Sequence, residues 1–207
     1  MLKILGKRSS INVRKVLWTC DEVGLAYQQD DYGSGFQPVD TPEFRALNPN
    51  CLVPVLIDKN FVLWESNSIC RYLARKGGRE DLLPLKPKDA ADVEHWMDWQ
   101  ATEFNNAWRY AFMGLVRKDP RFQDLVAIEE SIATWTHCVQ IVEYQLQRTG
   151  AWITGKQFTL ADIVLGLSIH RWKMTPFSHR EMPAVERWYM ELNHRPAFMR
   201  HGNNGIA

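Results

Sequence analysis

Three short segments in the first third of the chain carry residue types able to handle a thiol and an extended peptide. The first is Arg8-Ser9-Ser10-Ile11-Asn12, placed just before a run with helical spacing. A helix N-terminus presents unpaired N–H donors and the positive end of a dipole, so it can stabilise an anion such as a thiolate held above it. A serine hydroxyl at that turn can add one more hydrogen bond. The plain alternative is that Ser9 or Ser10 only caps the helix.

The second segment is Asn48-Pro49-Asn50-Cys51-Leu52-Val53-Pro54. Proline at the mouth of a strand suits an edge, a strand start or a cis turn. A cis Val53-Pro54 bond would turn the Val53 backbone outward, leaving its N–H and C=O free for an extended peptide; an ordinary loop entering a strand is the other reading. The third segment is Trp64-Glu65-Ser66-Asn67-Ser68. Ser66 at a helix start can bind a carboxylate, and Glu65 can pair with an amine, which together suit the two ends of an amino acid. A cap with an acid favoured by the dipole explains the same residues structurally.

The elements that must hold these segments are legible in the hydrophobic pattern. Leu2 to Leu5 reads as a strand, and Val13, Val16, Leu17 and Cys20 mark an amphipathic helix ending near Gly24. A weaker strand is expected from about Tyr27 to Asp31, followed by an irregular Gly, Pro and Asp-rich stretch. Val53 to Trp64 reads as two strands around Asp58-Lys59-Asn60, with a helix carrying Ile69, Tyr72 and Leu73 after them. Gly77 to about Asp89 is a connecting segment. Beyond it the spacing is helical throughout: Val93, Trp96, Met97 and Trp99; Phe104, Trp108, Phe112 and Leu115; then Leu125 through Leu146. The last two of these runs should pack antiparallel. Thr159 and Asp162 form a capping box, with Phe158 and Ile163 as its staple, and short helices follow from Pro183 to Asn193 and from Pro196 onward. The pattern predicts an α/β N-terminal domain and an all-α C-terminal domain.

The balance of 25 basic and 24 acidic side chains in 207 residues leaves a net charge of +1, which argues against nucleic acid as a partner. No apolar run is long enough to span a bilayer, and the opening residues lack the apolar core of a secretion signal, so no membrane association is expected. Cys20, Cys51, Cys70 and Cys138 show neither redox nor zinc spacing and read as reduced thiols in a cytoplasmic setting. His170 and Trp172 read as core or interface residues, and Arg8 and Lys15 as solvated ones.

Taken in order, these segments resemble a cytosolic glutathione transferase over nearly the whole chain, of the bacterial, theta-like, serine-bearing kind. The residues carrying the resemblance are the serine turn before Val13-Arg14-Lys15-Val16, the Val53-Pro54 pair, Glu65-Ser66, the Thr159 to Asp162 box and Arg195-Pro196-Ala197-Phe198. The resemblance implies a thioredoxin-like glutathione-binding domain over 1–77, a linker over 78–88, and an all-helical acceptor-substrate domain over 89–207. It implies Ser10 as thiol activator with Ser9 in reserve, and Asn12, Leu52, Val53, Pro54, Glu65 and Ser66 at glutathione. Phe104, Trp108, Arg109, Phe112 and Met113 lie where an acceptor pocket is expected, although an aromatic stripe is also what a helix core requires. Glutathione enters as co-substrate, with no cofactor and no metal expected, and a small hydrophobic electrophile and a second copy of the chain complete the implied partners. The implied activity is conjugation of glutathione to such electrophiles. Glutathione-dependent reduction of peroxides or disulfides, or partner binding without catalysis, are the alternatives. No cysteine stands at the first turn, which argues against a mixed-disulfide mechanism, and Cys51 stands where many members of the family have glycine.

Overall fold

The computed structural model describes residues 1–207. Four strands, β1 (Leu2–Leu5), β2 (Tyr27–Asp30), β3 (Val55–Asp58) and β4 (Phe61–Trp64), form one sheet in the order β2-β1-β3-β4. β1 and β2 run parallel, Leu2 opposite Tyr27, joined by α1 (Ile11–Val23). β3 is antiparallel to β1, with Leu5 opposite Val55, and to β4, with Val55 opposite Trp64. α3 (Ser66–Lys76) packs beside α1. This is the α/β layer that the pattern predicts, with the thioredoxin-like form that the resemblance implies.

α1 stops where expected. Gly24 takes φ 76°, a conformation with no Cβ penalty, and its N–H returns to Asp21 and Cys20 carbonyls. What the periodicity misses is that α1 has little open face. It lies between α3 on one side and α7 (Leu160–Met174) and α9 (Pro196–His201) on the other, so every residue from Val13 to Cys20 is buried. Lys15 is therefore not solvated, which corrects its sequence reading: it is 1% exposed. Arg8 is exposed and donates to Gln29 Oε1 at 2.6 Å.

A further helix, α2 (Pro42–Leu47), stands in the stretch read as irregular. Thr41 caps it by accepting from the Phe44 N–H at 3.2 Å, and Phe44 is buried beside Leu5 and Val55. Six residues are too few to show a period. After the connecting segment α4 (Pro87–Trp99) begins at Pro87, inside the stretch expected as linker, because a proline that looks like loop punctuation is also well suited to the first helical position. One π-helical turn, Gln100–Phe104, joins α4 to α5 (Asn105–Leu115). α6 (Leu125–Thr149) packs along α5.

α7 is buried around its whole circumference, from Leu160 to Trp172, as a helix at the centre of a bundle must be. Its start is fixed by Asp162, whose carboxylate accepts from Thr159 N–H at 2.9 Å, Ile153 N–H at 3.0 Å and Trp188 Nε1–H at 2.9 Å. α8 (Pro183–Asn193) is held by Glu143, which accepts from its first N–H groups, Ala184 at 3.1 Å and Val185 at 2.8 Å. Trp18 of α1 packs at a tilt against Phe198 of α9, ring centroids 4.9 Å apart, and meets Gly166 of α7, where a Cβ would lie 3.1 Å from its ring. One continuous core thus runs from the sheet into the helical layer.

Candidate active site

Gly6 brings the first two predicted segments together. It ends β1 at φ 148°, and a Cβ there would sit 2.5 Å from Val13 and 3.0 Å from Val53. Only glycine lets the β1–α1 turn and the loop before β3 approach so closely. The turn is closed by Ser10 N–H donating to Lys7 C=O at 3.0 Å. Ser10 occupies the N-cap of α1 with extended backbone, φ −82° and ψ 123°, yet its side chain makes no capping bond. The cap reading of this serine fails, and its hydroxyl is unclaimed. Ser9 is half-buried beside it. Asn12 has a buried Oδ1 with no hydrogen-bond partner.

In the second segment the Val53-Pro54 bond is cis, and neither the N–H nor the C=O of Val53 has a backbone partner. Asn48 shapes the loop from inside: its amide donates to Leu52 C=O at 2.8 Å and its Oδ1 accepts from Asn50 N–H at 3.0 Å. Cys51 takes φ 55°, the left-handed conformation that glycine adopts without strain. The cysteine keeps the loop shape at a local cost of about 1–2 kcal/mol. Leu52 projects into solvent, 64% exposed.

The third segment is strained as well. Glu65 has φ 71° at the N-cap of α3, makes no capping bond and is exposed. Strain of this kind at a non-glycine position persists only where the surroundings enforce it, and clusters at functional sites. Ser66 opens the helix, 7% exposed. Its neighbour Asn67 reaches the helical layer, donating to Met97 C=O at 2.6 Å and accepting from Lys15 Nζ at 3.3 Å. Lys15 also donates to Gln100 Oε1 at 2.7 Å, and Gln100 donates to Ser168 Oγ at 2.9 Å. Burial pushes the Lys15 ammonium down to about 8. This buried network was not legible in the sequence, since a lysine, a glutamine and an asparagine far apart in the chain carry no shared signal.

The aromatic stripe of the helical layer divides. Phe104 is fully buried, edge-on to Trp99 at 5.4 Å, and Phe112 is 3% exposed. Both are core rather than open wall, which corrects the expectation for these two. Trp108 is half-buried, its Nε1–H donating to Asn105 Oδ1 at 3.1 Å, and Arg109 is exposed. Met113 does line a cavity of about 800 Å³, which opens between Lys7 and Ser34 on the sheet side and Arg117 and Lys118 beyond α5. His170 is core: its ring bonds Tyr189 Oη at 2.7 Å and Ile206 C=O at 3.0 Å, and burial pushes it down to about 4, so it is neutral at pH 7. Trp172 is 1% exposed.

Residues 9–76, which contain all three segments except Arg8, match the family described as glutathione S-transferase, N-terminal domain. Glutathione S-transferase GstB of Escherichia coli (strain K12) is 36% identical over 199 residues, covering 95% of each chain. The chain belongs to the glutathione S-transferase family. Glutathione S-transferase 3 of Zea mays is 32% identical, covering 96% of this chain and 92% of its own. Among solved structures, the theta class glutathione S-transferase of Xanthomonas axonopodis pv. citri with glutathione bound superimposes with a TM-score of 0.91 at 37% identity, covering 97% of this chain and 96% of that one. This glutathione S-transferase is an enzyme with the family's two-part architecture, a four-stranded sheet layer followed by helices. No helix in it is long and apolar enough to cross a membrane.

Proposed function

We propose that this glutathione S-transferase binds glutathione along the three N-terminal segments, activates its thiol with Ser10, and transfers the thiolate to small electrophiles. The single observation carrying the reading is the Ser10 hydroxyl, placed at a helix N-cap and bonded to nothing there. The free backbone groups of Val53 suit the cysteinyl residue of the tripeptide, and Glu65 with Ser66 suit its γ-glutamyl amine and carboxylate.

The energetics are of the right size. A free thiol with a pKa near 8.5 is only about 3% thiolate at pH 7. Lowering that value by about two units takes about 2.7 kcal/mol of preferential anion stabilisation. A hydrogen bond to a charged sulfur supplies about 1.5–3 kcal/mol, and the N-terminus of α1 about 0.3–1 kcal/mol more. Ser10 donates throughout and takes no proton; the thiol proton leaves to solvent before attack. The sulfur then forms its bond to the electrophilic carbon as the leaving group departs with its electron pair.

The rest of the reading is a homodimer working in the cytoplasm. All four cysteines are free thiols, which suits a reducing compartment, and sedimentation at working concentration measures the dimer. Titrating the thiolate absorbance of bound glutathione tests the central step. Ser10→Ala should return the thiol to near 8.5 and lower kcat/KM by about 10- to 100-fold, whereas Ser9→Ala should leave both nearly unchanged. An unaltered thiol pKa in Ser10→Ala removes Ser10 from the mechanism.

A further inference from the structure

The cavity beside the Ser10 turn is walled by cations. Lys7, Arg117, Lys118 and Arg121 line it, and its one carboxylate, Asp119, is already held by Arg121 through two bonds of 3.0 and 2.8 Å. Lys7 belongs to the turn itself, since its carbonyl accepts the Ser10 N–H. Behind the wall two more guanidinium groups are buried, Arg171 of α7 at 3% exposure and Arg14 of α1 at 1%.

Arg171 lies 4.0 Å from the ring of Phe112 and 4.5 Å from that of Trp108, and Arg117 lies 5.4 Å from the same Phe112 ring. One aromatic side chain therefore links the buried cation to the cavity wall. No Asp or Glu oxygen comes within 4.0 Å of Arg14, Arg117 or Arg171. Arg14 is partly satisfied by the Ile206 C=O at 2.8 Å and by a main-chain oxygen of Ala207, the last residue, at 3.3 Å. Arg171 has no such relief, and its buried Nε is without a partner. Burial and the charges of Arg14 and Arg117 all press on its protonated form. Unpaired buried charge is costly, and the usual compensation is a counter-ion.

We propose that this cleft selects electrophiles bearing a carboxylate or comparable anionic group, met by Arg117 at the cavity wall and stabilised from behind by Arg171. This deepens the proposed conjugation, on which it rests, by naming the charge of the acceptor. In the reaction the glutathione thiolate forms a C–S bond at the carbon bearing a halogen, and the C–halogen bond breaks with the halide taking the pair. The anionic group of the acceptor stays on the cations, holding the reacting carbon beside the sulfur and screening the repulsion between two negatively charged reactants.

Two matched pairs of electrophile test it at saturating glutathione: iodoacetate against iodoacetamide, and 4-chloro-3,5-dinitrobenzoate against its carboxamide. They place the charge at two distances from the reacting carbon. Each kcat/KM is divided by the rate constant for glutathione alone. The acid should exceed the amide at least 10-fold in one or both pairs. Arg171→Met, which keeps the packing volume under Phe112, should lower that preference about 10-fold, and exposed Arg117→Gln about threefold. Equal normalised rates for acid and amide in both pairs, with the amides turned over, overturn the charge selection and leave conjugation standing. So does a preference that neither variant lowers. Failure to turn over any of the four compounds above the buffer rate overturns the conjugation reading and this inference together.

Discussion

Lys15 Nζ on α1 donates to Gln100 Oε1, 2.7 Å away in the π-helical turn between α4 and α5. The bond joins the helix that starts at Ser10 to the helical layer, and it does so without any acidic partner. Its other acceptor is Asn67 Oδ1, next to Ser66. A neutral acceptor pair orients the ammonium without repaying its desolvation, which is why burial brings it down to about 8.

This makes stability pH-dependent in a direction opposite to that of a salt-bridged lysine. In the unfolded chain Lys15 keeps its proton up to about 10.4, whereas in the folded chain it releases it near 8. Between these values the unfolded state binds more protons, so folding becomes more favourable as pH rises. Lys15→Met should remove a rise of about 3 kcal/mol between pH 8 and 10.5. Urea unfolding across that interval checks it, and parallel profiles for the two proteins would show that the buried amine does not titrate there.

Gly6→Ala places a methyl 2.5 Å from Val13 in a backbone conformation unsuited to alanine. Native stability should fall by about 2–4 kcal/mol. Because the same methyl pushes on Val53, KM for glutathione should rise more than kcat falls. Thermal unfolding and steady-state kinetics give the two readings; an unperturbed KM would separate Val53 from glutathione binding.

Cys51→Gly should stabilise the protein, by about 0.5–1 kcal/mol, because relief of the left-handed strain outweighs the extra entropy that glycine adds to the unfolded chain. Cys51→Val, a β-branched residue at φ 55°, should destabilise it. Chemical denaturation of the three proteins is sufficient, and the order Gly, Cys, Val in falling stability is the expected outcome.

Asp162→Ala strips the partner from Ile153 N–H, Thr159 N–H and Trp188 Nε1–H in one step. All three donors lie inside the protein, so the loss should reach about 3–5 kcal/mol. Burial pushes this carboxyl up to about 6, above its unfolded value of about 3.9. Its contribution therefore favours the folded state more below pH 4 than above pH 6. Unfolding measurements at the two pH values should show a smaller acid-side advantage in the alanine variant than in the parent.

The sequence alone determined the order and type of nearly every element, because strand alternation, helical spacing, Gly24 at a helix end and the Thr159 to Asp162 box are local signals with local physical causes. It also placed Ser10, Val53-Pro54 and Glu65-Ser66 at the edges of those elements. The tertiary structure decided which polar groups are free and which are trapped. That Ser10 caps nothing, that Lys15, Arg14 and Arg171 lie under cover, and that Phe104 and Phe112 are core all depend on what packs against the far side of a helix. Hydrophobic periodicity records only one face of a helix, and α1 and α7 each meet neighbours on more than one.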